Sequence, residues 1–283
     1  MLVIEDKNLI PALRNNSTKI SEYCFANIFL FRDIHNYKLI TYNDKYWING
    51  ITRKNVEYVM PTSDPFLIPI EEYFEVAKKF KNIYPVPEEL IQKFNDKFSD
   101  KISVSYDRNE SDYIHSVSSL NNYPGKAMHK KKNLLNQFYK LYSHRCVEIS
   151  NLNSEDLLFI LNYWQDSTKE DKFDTDYDSA KEAILHFDEL DLTGWIFYVN
   201  DNPAGYAIGE ALNDEMFVLH FVKGLVQFKG IYQFIFSSVA ANIAEKYNYI
   251  NLEQDLGIPK LRHSKKSYYP EFFINKFMVS YLQ

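Results

Sequence analysis

The chain is predicted to be an α/β protein of two domains, each a mixed, mainly antiparallel sheet flanked by helices. Three observations carry that expectation. First, 283 residues with 46% apolar content suit two modest domains with real cores and argue against global disorder. Second, the last third runs as three β-like segments, a Gly-bearing turn, an amphipathic helix and a returning strand. Third, a new strand and a capped helix follow a long basic helix. This places a boundary near residue 145 and domains at 1–145 and 146–283.

The elements follow in order. Ser21–Arg32 is apolar and aromatic and reads as a helix packed on a sheet. Residues 38–42, 46–48 and 56–60 read as strands between polar turns, and Pro61–Pro65 is a break. Pro69–Phe80 and Pro87–Phe98 read as helices. Pro suits a first turn, and apolar residues such as Ile70, Tyr73, Phe74 and Ala77 fall three or four apart. Ile102–Tyr106 is a strand. Gly125–Arg145 has helical spacing at Leu134, Leu135, Phe138 and Leu141, and its six Lys/Arg with no acid make that helix basic. Cys146–Ile149 restarts a strand, and Asn153–Asp156 caps a helix through Leu157, Leu158, Leu161 and Trp164. Asp166–Asp191 sets ten Asp/Glu against three Lys, so it is either a solvated face or a rim that attracts a cationic acceptor. Residues 193–199, 204–210 and 216–221 form an antiparallel meander with turns at Asn200–Pro203 and Asn213-Asp214. A helix over 231–246 puts Ile231, Ile235, Val239 and Ile243 on one stripe. Tyr249–Glu253 returns as a buried strand that, after a helical crossover, can lie parallel to its neighbour.

Several classes are excluded. A net charge of −6 argues against a chain that coats nucleic acid, and DNA is not an expected partner. Cys24 and Cys146 lie far apart, so neither a disulfide scaffold nor a Cys-rich metal site is expected. The seven histidines show no paired ligand spacing, and no metal is expected. Met1–Asp6 lacks the pattern of a secretory signal, and no apolar run approaches the length of a membrane span. A cytoplasmic protein is expected.

Three constellations could carry chemistry. Lys223–Tyr232 joins a strand to a helix. A helix N-terminus offers unpaired N–H groups, and Gly lets a phosphate approach the backbone. Lys223, Lys229, Gly230, Ile231 and Tyr232 are therefore candidates to hold donor phosphate, the alternative being a plain Gly-containing loop with solvent lysines. In the second, Glu253 and Asp255 would share one face of the returning strand. Paired carboxylates can take a proton from an attacking ammonium, or Arg262 and Lys265 can neutralise them in a buried network. Arg262 and Lys265 could equally hold an anionic part of donor or acceptor, and Tyr268 could protonate a leaving group or simply pack. In the third, Gly125–Phe138, Lys132 and Asn133 lie at a basic helix start. That start could bind phosphates of RNA, nucleotide or lipid, or answer the acidic 166–191 segment.

These residues carry a resemblance. Asp112-Tyr113-Ile114, His129–Asn133, Asn136-Gln137-Phe138, Lys229–Gln233, and Asn251–Gly257 with Leu261-Arg262, Lys265 and Tyr268-Tyr269-Pro270 resemble an uncharacterised bacterial family. That family is related to the C-terminal domain of phosphatidylglycerol lysyltransferase. The Glu253-Gln254-Asp255-Leu256-Gly257 segment is the specific part, and the Ser21-Glu22-Tyr23 to Asn27 opening also fits. The resemblance implies two tandem GNAT-like domains and transfer of an acyl or aminoacyl group to an amine or hydroxyl. It implies acyl-CoA or aminoacyl-tRNA as donor substrate rather than a tightly bound cofactor, a small-molecule, peptide or lipid acceptor, and tRNA as a partner. One departure falls in the donor loop, Gln227-Phe228-Lys229-Gly230-Ile231-Tyr232, where Tyr232 stands in place of a second small residue. That argues against ordinary coenzyme A binding. It leaves an aminoacyl-tRNA donor, or an inactive GNAT-like module that binds a peptide, lipid head group or RNA.

Overall fold

A computed structural model describes residues 2–10 and 17–282. The chain divides into two units, each α/β. The first comprises the chain up to Asp112, Gln254–Pro259 and the C-terminal segment from Phe273. The second comprises Tyr113–Glu253 and Lys260–Phe272. Residue 145 is thus not where the chain divides: it lies inside the second unit, and the C-terminal segment belongs to the first.

In the first unit, the helices are α1 (Phe25–Leu30), α2 (Arg32–His35), α3 (Ile70–Phe80) and α4 (Glu88–Phe98). The strands are β1 (Lys38–Tyr42), β2 (Lys45–Ile51), β3 (Glu57–Pro61), β4 (Asn82–Pro87) and β5 (Ile102–Tyr106). β1 and β2 join through Asn43 and Asp44, both left-handed (φ 49° and 58°), the conformation a two-residue hairpin turn needs. α3 then crosses over, so β4 lies parallel to β3. Trp47, Tyr73, Val76, Phe94 and Val279 fill the core.

β4 is wholly buried, although it holds Pro85 and ends on Pro87, which is expected to open a helix, and proline is uncommon inside a sheet. Its other neighbour, the C-terminal strand Lys276–Tyr281, pairs antiparallel with both β4 and β5. Lys276 enters the first unit fully buried. Its ammonium lies 2.6 Å from Glu22 Oε2 and 2.7 Å from Asp112 Oδ1.

In the second unit, β6 (Asp112–Ser116) leads into α5 (Val117–Asn122), α6 (His129–Leu141), β7 (His144–Glu148), α7 (Ser154–Thr168) and α8 (Tyr177–Leu185). The meander is β8 (Thr193–Val199), β9 (Asn202–Ala211) and β10 (Met216–Gly224). It is followed by α9 (Ile231–Ile243), β11 (Tyr249–Asn251), α10 (Pro259–Lys266) and β12 (Phe272–Ile274), with β13 naming Lys276–Tyr281. The seven-stranded sheet runs β12-β6-β11-β10-β9-β8-β7. Neighbouring residues show which helix covers which face. A Cβ at Gly205 would stand 2.7 Å from Ile235 of α9, whereas the Lys223 ammonium lies 3.5 Å from the centre of the Trp164 ring on α7. Helices therefore sandwich the sheet. Phe138 of α6 stacks on Phe234 of α9 at 4.4 Å within the core.

Each unit repeats an antiparallel meander, a crossover helix and a strand parallel to the meander's last. This is the GNAT-like order that the resemblance implied.

Candidate functional site

β10 and β11 part company. Their ladder covers only Met216–Val218 against Tyr249–Asn251, while β10 continues to Gly224. At the parting, β10 carries a bulge between Leu219 and Phe221. The bulged residue is His220, whose side chain is fully buried. Its Nδ1 lies 2.8 Å from Glu253 Oε1 and its Nε2 lies 3.0 Å from Glu210 Oε1. Burial alone would lower the pKa of this ring, but Glu253 and Glu210 outweigh it and push it up to about 10.

Glu253 does not sit on a strand. β11 ends at Asn251, and Glu253 is left-handed at φ 57°. The Asn251 side chain accepts its N–H at 2.7 Å, and Tyr113 donates its N–H to the Glu253 carbonyl at 3.1 Å. The expectation that Glu253 and Asp255 share a strand face fails because the strand has already ended. Asp255 belongs to the first unit, where it is fully buried. Its Oδ1 accepts Gly257 N–H at 2.9 Å, and Arg108 approaches its Oδ2 at 3.6 Å. Arg108 in turn lies 4.2 Å over the Phe273 ring. Asp255 ties down a turn in which Leu256 and Gly257 both have positive φ.

The donor-loop candidates all have protein contacts. Lys223 is buried and its ammonium sits 2.6 Å from Asp176 Oδ1. Burial lowers its pKa, against the pull of that carboxylate. Lys229 is exposed, but its N–H is donated to the Tyr142 hydroxyl at 3.2 Å. Gly230 caps α9 at φ 87°, and a Cβ there would lie 2.5 Å from the Leu134 carbonyl of α6. The glycine is thus needed for close packing of two helices. Ile231 is buried in the core. Tyr232 is partly buried and packs against the core, and burial raises the pKa of its hydroxyl.

Tyr268 is buried, packed on Phe236 and Tyr123, and accepts Gln233 Nε2–H at 2.8 Å. Burial raises its pKa, which makes it a weaker acid than a free tyrosine. Lys265 donates to the Leu252 carbonyl. Arg262 is half-buried on α10, and Lys132 and Asn133 are exposed on α6. Lys131 beside them lies 3.6 Å over the Tyr268 ring, and burial brings its pKa down to about 8.

His220 and Glu210 are the residues of this charged cluster that reading the sequence missed. The available signal is a lone histidine in the apolar run Phe217–Val222, since a buried imidazole needs partners.

Three similar proteins place the chain. A conserved protein of unknown function from Bacteroides thetaiotaomicron VPI-5482 has a solved structure that superimposes with a TM-score of 0.85. It is 23% identical, over 99% of this chain and 98% of that one. The C-terminal domain of a putative lysylphosphatidylglycerol synthetase from Agrobacterium fabrum superimposes with a TM-score of 0.65. It is 12% identical, over 98% of this chain and 90% of that one. A curated relative, the uncharacterized protein MYCGA3080 of Mycoplasmoides gallisepticum, is 24% identical over 180 residues. Those residues span 60% of this chain and 56% of that relative's length. The family model described as phosphatidylglycerol lysyltransferase, C-terminal, matches residues 14–280, and the chain belongs to that family.

Proposed function

We propose that this chain is an acyl- or aminoacyltransferase that moves an activated aminoacyl group from an ester donor to an amine or hydroxyl acceptor. The observation that carries the reading is the parting of β10 from β11 with Glu253, His220 and Glu210 clustered at the parting. Glu253 takes the proton that the acceptor loses as its nitrogen or oxygen attacks the ester carbonyl. The carbonyl–oxygen bond to the donor breaks, Glu253 hands the proton to the departing oxygen, and the donor leaves as its free hydroxyl. An ester is already activated, so positioning and a well-placed base supply much of the rate. Two carboxylates against one imidazolium leave net negative charge, which favours an acceptor or aminoacyl group bearing an ammonium.

On the donor side, the protein's own contacts at Lys223, Gly230 and Tyr232 argue for aminoacyl-tRNA over acyl-CoA. Exposed Lys229, Lys130 and Lys132 would meet the tRNA backbone. Arg262 is kept as a contact for an anionic acceptor head group. Tyr268 is kept as a wall. The test uses lysine-charged tRNA with phosphatidylglycerol vesicles, scoring lipid-linked lysine for the wild type and Glu253→Gln. Loss of transfer in the variant supports the base, and undiminished turnover removes it.

A second reading has one observation in its favour: a donor loop packed by its own Tyr232 suits a binding module that has given up catalysis. Salt-dependent tRNA binding without transfer to any acceptor would select it.

A further inference from the structure

We infer that His220 and Glu210 are positioning residues for Glu253, forming with it a carboxylate–imidazolium–carboxylate array that holds the base in place where β10 and β11 part. The inference rests on the reading of Glu253 as the base.

Hydrogen-bond stoichiometry sets the charge of the ring. An ionised carboxylate only accepts, so each of the two contacts needs an N–H on the imidazole. A neutral ring has one, and two are required at 2.8 and 3.0 Å. The ring is therefore an imidazolium, and the two carboxylates, which push its pKa up to about 10 against the effect of burial, agree with it. A cation buried between two acids is a costly way to fill a core, and an apolar side chain would do better if packing were the only task.

Two unusual backbone features and one regular strand converge to make the arrangement. The β10 bulge turns His220 out of the regular alternation, β9 supplies Glu210, and left-handed Glu253 turns back after β11. The ring is fully buried, while the Glu210 and Glu253 side chains keep 14% and 12% exposure. The array thus has two partly wet ends and a dry middle.

The proton balance closes. The acceptor gives one proton to Glu253. Glu253 hands that proton to the departing donor oxygen, which leaves as its hydroxyl, and the ring keeps both of its own protons throughout.

The experiment combines 15N NMR of the His220 ring in the wild-type protein with pH–rate profiles of Glu210→Gln and Glu253→Gln, using the lysine-charged tRNA and vesicle assay. A ring with two N–H groups at pH 8 is expected. Its titration should fall by at least one pH unit in Glu210→Gln. That variant should also lose roughly tenfold or more in kcat with little change in KM, and its pH profile should shift. A neutral ring at pH 8 overturns the positioning role with no variant needed. An unchanged Glu210→Gln profile beside an inactive Glu253→Gln overturns the positioning role and leaves the base standing. An active Glu253→Gln overturns the base, and the positioning role with it.

Discussion

Raising the pH should strip the second unit of the stabilisation that His220 contributes, against an opposite and smaller effect of Lys131, whose lowered pKa favours folding as the pH rises. In the unfolded chain this ring titrates near 6.5, and in the folded chain near 10. The folded pKa is the higher one, so the stabilisation is fully present below pH 6.5 and is lost as pH climbs through 10. The gap between 6.5 and about 10, at about 1.4 kcal/mol per pH unit, comes to about 5 kcal/mol. Between pH 7 and 9.5 the expected loss is about 3 kcal/mol. For a domain of this size that lowers Tm by roughly 6–12 °C. The assay is thermal and urea unfolding at constant ionic strength across that range, followed by near-ultraviolet circular dichroism. His220→Gln should start lower at pH 7 and then show a flatter profile. A wild-type curve as flat as that of the variant would refute the reasoning, because it would mean that the ring is not an imidazolium in the folded protein.

Three further outcomes are expected. Lys276→Met should cost about 3–5 kcal/mol, because it leaves Glu22 and Asp112 buried without their cation. Burial pushes the Glu22 pKa up to about 7, so part of that loss should return on acidification, read from urea midpoints at pH 5.5 and 8. Gly230→Ala should lose about 2 kcal/mol or more of thermal stability, since a Cβ would meet the Leu134 carbonyl at 2.5 Å in a left-handed backbone. Asp255→Asn should cost about 1–3 kcal/mol in chemical denaturation by weakening the Arg108 contact and the capped turn. Transfer measured per folded molecule should hardly change, in contrast to Glu253→Gln.

Much of the fold was legible where a residue's neighbours in sequence are also its neighbours in space. The stripe Ile231, Ile235, Val239 and Ile243 marked α9, proline at the first turn marked α3 and α4, and Asn-Asp pairs marked turns. What failed was non-local. β4 carries two prolines and is held as a strand by β13, which arrives almost two hundred residues later. No local pattern reports such a partner, and so a boundary near residue 145 looked natural. His115 illustrates the same limit. It looks like loop sequence but lies on β6 with a buried ring, whose pKa burial brings down to about 4.

The candidate site shows why residue type outlasts geometry in such reading. Glu253 was singled out for being acidic near a strand end, and the structure gives that acid a partner through an irregularity that period-two reasoning cannot express. Strand logic would have paired Glu253 with Asp255, two residues on. The Asn251 side chain instead takes the Glu253 N–H, the backbone turns left-handed, and the carboxylate reaches His220 at the bulge across from it. Two breaks in regular structure, one within β10 and one just past the end of β11, thus produce one contact where the ladder between these strands ends. The turn at Glu253 is held by the Asn251 side chain, which is why Asn251→Ala should disturb the pKa of His220 without touching the ring.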